Sequence, residues 1–381
     1  LFVVALPSSP RHRYVGLAST EKHNPEANAS GREHLIAAAR LGGDYLVRAQ
    51  KKDGSFFYSY DPLQDRYSSV SYNILRHAGA TISLFDLYRV TREVKYLEAA
   101  RRAVEYLCTR FQVGPGSSTY VLDDDGKAKL GANGLALIAL VRDLELTRDT
   151  RKLGQAKSLA RLIKSLQRPN GALASYYRVR GDESTEAVSL YYPGEAILGL
   201  VSLYKLDRDP RLLEVARFAA DYLVKTQRSA GILPPDAWLM QALESLYSVG
   251  QERAYAQHAV ALAEAMISQQ YDQDDGEEYA GGFGPGEPRA TPAASRAEGL
   301  LSAYRLAGVI GDPVKTRIAE SLFASTRFQL SQQYTVEKSA GFLNPARTSG
   351  GFRESLSSAR IRIDYVQHNI SSLLGVAQAL Y

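Results

Sequence analysis

The chain repeats itself, and the repeat limits what it can fold into. Gln50-x-x-Asp53-Gly54-x-Phe56, Gln167-x-x-Asn170-Gly171-x-Leu173 and Gln227-x-x-Ala230-Gly231-x-Leu233 share one spacing. That spacing predicts a helix stopped by a glycine at positive φ, with the next apolar residue folding back over the helix end. Looser copies stand at Gly281-Gly282-Phe283 and Gly350-Gly351-Phe352. A second phrase recurs between them: Leu87-Tyr88-Arg89-Val90-Thr91-Arg92, Leu146-Thr147-Arg148-Asp149, Leu203-Tyr204-Lys205-Leu206-Asp207-Arg208 and Leu246-Tyr247-Ser248-Val249. Each copy closes an apolar helix and turns into an amphipathic one. The period is roughly 45–60 residues, which is the signature of stacked helical hairpins.

Two kinds of helix alternate. One is apolar nearly all round, as in the stretch from Ile74 to Tyr88, and such a helix belongs inside. The other carries a single apolar stripe and belongs outside. Inner helices are expected to begin near residues 72, 131, 193, 236, 293 and 365, and outer ones near 31, 94, 150, 210, 252 and 312. Six such hairpins make an all-α chain with short β-like segments in its loops. The expected division is an N-terminal arm over 1–30 and one helical domain over 31–381. The pattern resembles the (α/α)6 toroid shared by many glycan-acting enzymes and by terpenoid cyclases. An open helical solenoid is the competing architecture. Leu1-Phe2-Val3-Val4-Ala5-Leu6-Pro7 opens the chain without an initiator Met, as a short strand or the remnant of a signal-peptide core. The chain thus reads as a processed form or a piece of a longer protein, cytoplasmic or exported.

Composition narrows the function. Net charge is +5 and the pI near 9.0, but Lys and Arg are scattered, so no nucleic-acid-binding stripe is expected. A mildly basic surface suits an anionic small molecule or a glycan. A single cysteine, Cys108, excludes an internal disulfide and a Cys-based zinc cage. No apolar run approaches the roughly 20 residues of a membrane span. The 24 tyrosines, many in inter-helix loops, offer flat faces and hydroxyls for sugar rings, although loop packing is the plainer role for any one of them. The acidic loop Asp272–Glu278 departs from the EF-hand spacing and reads as solvated.

In a ring of hairpins the loops entering the inner helices surround a central mouth, and the polar residues heading those helices would share it. Alignment places Tyr72, Arg76, His77, Asn133, Tyr191, Tyr192, Glu195, Asp236, Arg296, Glu298, Arg362, Asp364, Tyr365, His368 and Asn369 there. Several have a structural reading beside the functional one. Asp236 follows two prolines and caps its helix. Glu195 sits in a first turn, where the helix dipole favours a carboxylate. Asn133 satisfies backbone groups, and Glu298 serves as an ion-pair partner. Arg76-His77 and Arg362–Asn369 pack more polar chemistry than a helix start requires.

Three resemblances bear on function. The Gln-x-x-x-Gly-x-Phe repeat is similar to the Gln/Trp repeat of squalene- and hopene-type cyclases, which implies an acid motif of Asp-x-Asp-Asp; the nearest run here, Asp123-Asp124-Asp125, has a different spacing. Protein prenyltransferases share the toroid and imply an Asp/Cys/His zinc set, but Cys108 falls on an outer helix. The final segment resembles the C-terminal end of glucuronyl epimerases, matching in type at Arg362, Asp364, Tyr365 and His368, with Phe352 where that family has Tyr. That resemblance implies proton transfer next to a substrate carboxylate.

The expectation is a carbohydrate-active enzyme working on a glycan or a uronic-acid sugar without metal or cofactor. In a hydrolytic version two carboxylates among Glu195, Asp236, Glu298 and Asp364 act as acid and base, about 6.5–9.5 Å apart for inversion. In an epimerase or lyase version Arg76 or Arg362 neutralises the substrate carboxylate, and Tyr72, His77, Tyr365 or His368 moves the proton. A non-catalytic toroid binding glycan or peptide, and a terpenoid cyclase, are the remaining readings.

Overall fold

The computed structural model describes residues 25–68, 72–147, 150–179 and 189–381. Residues 1–24 of the expected arm, including Leu1–Pro7, lie outside them, as do Arg148 and Asp149 of one Leu-Tyr copy. Residues 25–30 already belong to the first helix.

Fourteen helices follow in order: α1 (Pro25–Ala49), α2 (Ile74–Thr91), α3 (Val94–Thr109), α4 (Leu130–Thr147), α5 (Leu153–Ser165), α6 (Tyr192–Asp207), α7 (Pro210–Ala230), α8 (Ala237–Gly250), α9 (Arg253–Ile267), α10 (Ala290–Ile310), α11 (Lys315–Gln332), the single turns α12 (Val336–Ser339) and α13 (Pro345–Thr348), and α14 (Ile363–Ala379). Helices α2, α4, α6, α8, α10 and α14 pack each against the next, and α14 packs back on α2. This closed inner ring is an (α/α)6 toroid, as the alternation of helix types predicts. Burial explains the sorting: α4 is buried at nearly every position from Leu130 to Val141, whereas α3 buries one stripe of Tyr96, Ala99, Ala100, Ala103, Val104 and Leu107. The last inner helix is covered by the first outer one, because α14 packs on α1. Chain ends meeting in one hairpin are what distinguish a ring from an open spiral.

The Leu-Tyr phrase is the inner-to-outer turn. Arg92, Arg208 and Gln251 take left-handed φ of 61°, 62° and 58°, each donating its N–H to the carbonyl of Tyr88, Tyr204 or Tyr247. The Gln-x-x-x-Gly phrase has a different role from the helix stop expected of it. Helices α1 and α5 end before their Gln, and the Gln instead bridges the aromatic or aliphatic residue six places on, as Gln50 with Phe56 and Gln167 with Leu173. Gln270 with Phe283 and Gln333 with Phe352 make the same bridge across longer insertions. Each glutamine amide then donates to a carbonyl of the next outer helix: Gln50 to Ala99 (2.8 Å), Gln167 to Val215 (2.9 Å), Gln270 to Ser321 (3.0 Å) and Gln333 to Ala38 (2.8 Å). The glycine sits one turn along that neighbour at φ between 86° and 95°. A Cβ on Gly350 would lie 2.0 Å from the Leu41 carbonyl oxygen, so the close approach as well as the backbone angle demands glycine. The Gln227 copy departs from this pattern. There α7 runs on to Ala230, Gly231 makes an ordinary left-handed cap, and Gln227 bonds His258 (2.7 Å).

The strands all lie in the loops that enter the inner helices. β1 (Ser59–Asp61) pairs with β2 (Arg66–Tyr67), and two further hairpins join β3 (Phe111–Val113) to β4 (Thr119–Val121) and β5 (Ala128–Lys129) to β6 (Tyr176–Tyr177). β1 also pairs with β7 (Ile361–Arg362), Ser59 opposite Arg362. That pairing ties the first loop to the last and fixes Arg362 at the mouth. No helix among the described residues is long and apolar enough to cross a membrane.

Candidate functional site

The N-terminal ends of the inner helices enclose a cavity of about 530 Å³. Of the residues expected there, Arg76, Tyr191, Tyr192, Glu195, Arg296, Arg362, Asp364, Tyr365 and His368 line it, and they come from four helix starts.

One wall is built around Asp364, 3% exposed in the first turn of α14. Arg362 chelates it with Nε at 2.5 Å and Nη2 at 2.9 Å, and Arg76 Nε reaches its Oδ2 from α2 at 3.2 Å. Arg362 also lies over the Tyr365 ring at 4.4 Å, and Arg76 donates to the Tyr58 hydroxyl. Both carboxylate oxygens are occupied, so Asp364 organises two guanidinium groups at the cavity wall.

Beside it His368 Nδ1 meets Glu298 Oε2 at 2.8 Å. Burial works to lower the His368 pKa, but the Glu298 carboxylate outweighs it and holds the net value above the ordinary imidazole range. Burial in turn pushes the Glu298 carboxyl up, with His368 opposing. A proton on Nδ1 is therefore stabilised, and no group among the described residues bonds Nε2. An imidazole with one nitrogen fixed by a carboxylate and the other free is the arrangement of a general acid or base.

Across the ring stands a second pair. In the ring order α2, α4, α6, α8, α10, α14, helix α6 faces α14. It carries Glu195, 2% exposed, whose pKa is pushed up to about 8 by burial and by neighbouring Asp236. Asp236 caps α8, accepting from Leu239 N–H at 3.0 Å, and burial raises it to about 7. Glu195 Oε2 and Asp236 Oδ2 each lack a protein partner. Burial and the Asp236 charge both raise Glu195, so this wall favours keeping a proton near neutral pH. Gly131 makes room for the arrangement, since a Cβ there would sit 1.9 Å from Glu195 Oε2.

The remaining lining is cationic and aromatic. Arg296 donates weakly to the Gly284 carbonyl and the Gln269 amide oxygen, lies 5.1 Å over Phe283, and pairs with no carboxylate among the described residues; Arg289 lines the cavity with it. Tyr191 forms part of the lip at 44% exposed, and Tyr192 meets Tyr176 edge-on at 5.9 Å. Trp238 forms the floor with Gln367, its ring 6.1 Å from that of His368. Sequence reasoning missed Trp238, although the only tryptophan in the chain stands two residues past Asp236. It also missed Arg289 and Glu354.

Six expected residues lie elsewhere, Glu298 among them: it lines a second cavity on the far side of the ring while its carboxylate holds His368. His77 is fully buried and turned toward α3: the Tyr72 hydroxyl accepts from Phe56 N–H (3.0 Å) and donates to Nδ1 (2.7 Å), which leaves Nε2 to donate to the Ala103 carbonyl (2.8 Å). Burial lowers its pKa to about 4, so it stays neutral, a packed member of the wall. Tyr72 lines a smaller side cavity with Tyr58 and Lys129. Asn133 ties the β4 backbone to its own helix start, accepting from Val121 N–H and donating to Lys129 O. Asn369 donates back to the Tyr365 carbonyl. Asp236 acts on the cavity through Glu195 and does not itself line it. In each case the side chain that heads an inner helix satisfies neighbouring backbone or ring groups, which spacing alone cannot distinguish from pointing inward. In the acidic loop, Asp272 and Asp275 cap one another's backbone. No group of three or more His, Cys, Asp or Glu side chains among the described residues is placed to hold a metal ion.

No family model matches the chain, and no curated protein matches it in sequence. Solved structures do match in fold. The chain is similar to a cellobiose 2-epimerase from Bacillus thermoamylovorans B4167 at TM-score 0.68 and 12% identity, over 91% of this chain and 99% of that one. It is similar to a D-mannose isomerase at 0.66 and 14%, over 94% and 100%. It is also similar to a GH76 α-mannanase from Bacteroides thetaiotaomicron at 0.63 and 12%, over 92% and 95%. At these identities the likeness is one of fold: the chain is an (α/α)6 toroid over nearly its whole length.

Proposed function

We propose that the chain is a sugar epimerase or isomerase that moves a proton between the two opposed walls of its cavity. The observation that carries this reading is the pairing of a His368–Glu298 dyad on one wall with a buried carboxyl, Glu195, on the helix facing it. His368 Nε2 takes the proton from a carbon next to a carbonyl or carboxylate, and the bonding pair moves onto that oxygen as an enolate. Glu195 returns a proton to the opposite face, leaving His368 protonated and Glu195 ionised until both exchange with solvent. Arg296 and Arg289, which have no carboxylate partners among the described residues, face the developing negative charge, as do Arg76 and Arg362. They also favour a substrate that carries an acid group. The structural neighbours include a cellobiose 2-epimerase and a D-mannose isomerase.

Hydrolysis is the second reading, favoured by a Glu195 protonated near neutrality, as a general acid must be. Its weakness is the base. Asp364 is chelated by two arginines, Glu298 is held by His368, and Asp236 is a helix cap behind the lining.

Incubation with neutral and uronic-acid mono- and disaccharides in D2O separates the readings. Deuterium at the carbon next to the carbonyl or carboxylate, lost in His368→Asn by about 10²–10⁴-fold, supports proton transfer. Release of reducing ends with no deuterium on carbon supports hydrolysis and removes the first reading. Binding of sugar without either change assigns a binding module.

A further inference from the structure

The opposite end of the ring holds a second cavity, of about 600 Å³, among the C-terminal halves of the same six inner helices. Trp238 and Gln367 line both cavities, so they form the partition between them. Gln367 reaches across to α2, where a Cβ on Gly79 would lie 2.6 Å from its Oε1.

The lining of this second cavity combines hydroxyls and amides with charged side chains that are mostly paired, Glu298 with His368 among them. Ser202, Ser245, Ser302, Ser371, Gln241 and Gln367 present hydroxyls and amides over a wall of Ile82, Ile138, Leu198 and Leu301. Two of these polar groups have no partner among the described residues. Ser302 is 1% exposed and Gln367 is 4% exposed, yet neither side chain makes a hydrogen bond among the described residues. Their polar atoms are not among the fully enclosed ones left without a partner, so both polar ends open onto the cavity, where a ligand can reach them. Most charges around the mouth are already matched: Arg142 with Asp86 at 3.2 Å, Arg305 with Glu244 at 3.1 Å and Arg89 with Glu145 at 3.3 Å. Lys205 donates to Ser245 Oγ at 3.0 Å and sits among charges of both signs. An ionic ligand would have to break these pairs, and a neutral one need not. Six inner-helix C-termini also point toward this end, and their dipoles disfavour an anion.

We propose that this second cavity is a binding site for a small neutral polyhydroxylated molecule, a mono- or disaccharide in size, distinct from the cavity at the other mouth. Ser302 and Gln367 meet its hydroxyls at the floor, Gln241 and Ser245 meet them higher up, and Trp238 provides the apolar end wall. The site does not depend on the reaction proposed above; failure of that reaction would leave the titration below unchanged.

Trp238 is the only tryptophan, so intrinsic fluorescence reads this wall directly. The full chain is titrated with glucose and with cellobiose to about 10 mM, ten times a Kd of about 1 mM. The expected result is a saturable change that weakens at least tenfold in Ser302→Leu, which fills the floor. It weakens likewise in Ser248→Phe, which narrows the exposed mouth and leaves the packed interior untouched. Arg296→Ala, in the first cavity, leaves it unchanged. No saturable change with either sugar overturns the proposal. So does a change that survives both far-side substitutions or disappears with Arg296→Ala. Tighter binding of inorganic phosphate than of glucose overturns the ligand class.

Discussion

Glu195 is the residue whose burial has the clearest measurable consequence. Its pKa in the folded chain is about 8 against an ordinary 4.5, with burial the larger cause and Asp236 the smaller. Because the folded value is the higher one, the folded state holds its proton more tightly than the unfolded chain does. The contribution of this group is therefore fully present below about pH 4.5 and is lost as pH rises through about 8. At about 1.36 kcal/mol per pKa unit the whole interval corresponds to about 5 kcal/mol. Glu195 borders an open cavity whose water screens the charge, which brings the expected loss between pH 5 and pH 9 to about 2–3 kcal/mol. Glu195→Gln keeps the shape and removes the charge. Urea unfolding of both chains at several pH values should show the substituted chain less destabilised at alkaline pH, with the two curves converging near pH 5. Parallel curves from pH 5 to pH 9 would refute the claim that Glu195 is held as the acid.

Other consequences follow from the same geometry. If His368 is the base and Glu195 the acid, turnover should be bell-shaped, with an alkaline limb at about pH 8 and an acidic limb above the ordinary imidazole range; an acidic limb in the carboxylate range would point to a carboxylate base. Gln333→Ala removes the amide that joins α11 to α1 and should lower unfolding free energy by about 1–2 kcal/mol in urea titration. Gly350→Ala places a methyl against the Leu41 carbonyl at a left-handed backbone angle and should cost about 3 kcal/mol or more, read as a fall in thermal midpoint. Arg362→Met leaves Asp364 with Arg76 alone; a loss of about 2–3 kcal/mol, relieved by the further change Asp364→Asn, is expected from chemical unfolding of the two chains.

The ring was legible because it is repeated. Helix sorting, the hairpin turns at Arg92, Arg208 and Gln251, and the glutamine-glycine phrase each recur, so spacing alone exposes them. What spacing could not show was the job of the glutamine. A Gln-to-carbonyl bond between Gln333 and Ala38 spans nearly the whole chain, and nothing local in the sequence records it. The cavity was legible only in part, for a different reason. Arg76 and His77 are neighbours, yet successive helical residues point about 100° apart, so one reaches Asp364 and the other faces α3. Asn133 and Asn369 fail in the same way, because a polar group at a helix start serves backbone as readily as a ligand. Trp238 was hidden by the opposite error: an aromatic on an apolar inner helix reads as core until its neighbours across the lumen are known.

A toroid offers something a single helical bundle does not. Residues on facing helices are held apart by the full width of the lumen, while residues on adjacent helices touch. Glu298 and His368 come from neighbours α10 and α14 and are hydrogen-bonded; Glu195 and Asp236 come from neighbours α6 and α8, and the charge on Asp236 raises Glu195. Glu195 on α6 and His368 on α14 sit on facing helices, and neither titrates the other: the groups that shift Glu195 and those that shift His368 do not overlap. Each wall can thus be set to its own protonation state by its own neighbours. One wall has a carboxylate beside an imidazole, which raises the imidazole; the other has two buried carboxyls, each raised toward holding a proton. Exchanging the two settings would take changes on two helices at once. Single substitutions at Asp236 or Glu298 should therefore move one wall and leave the other where it is.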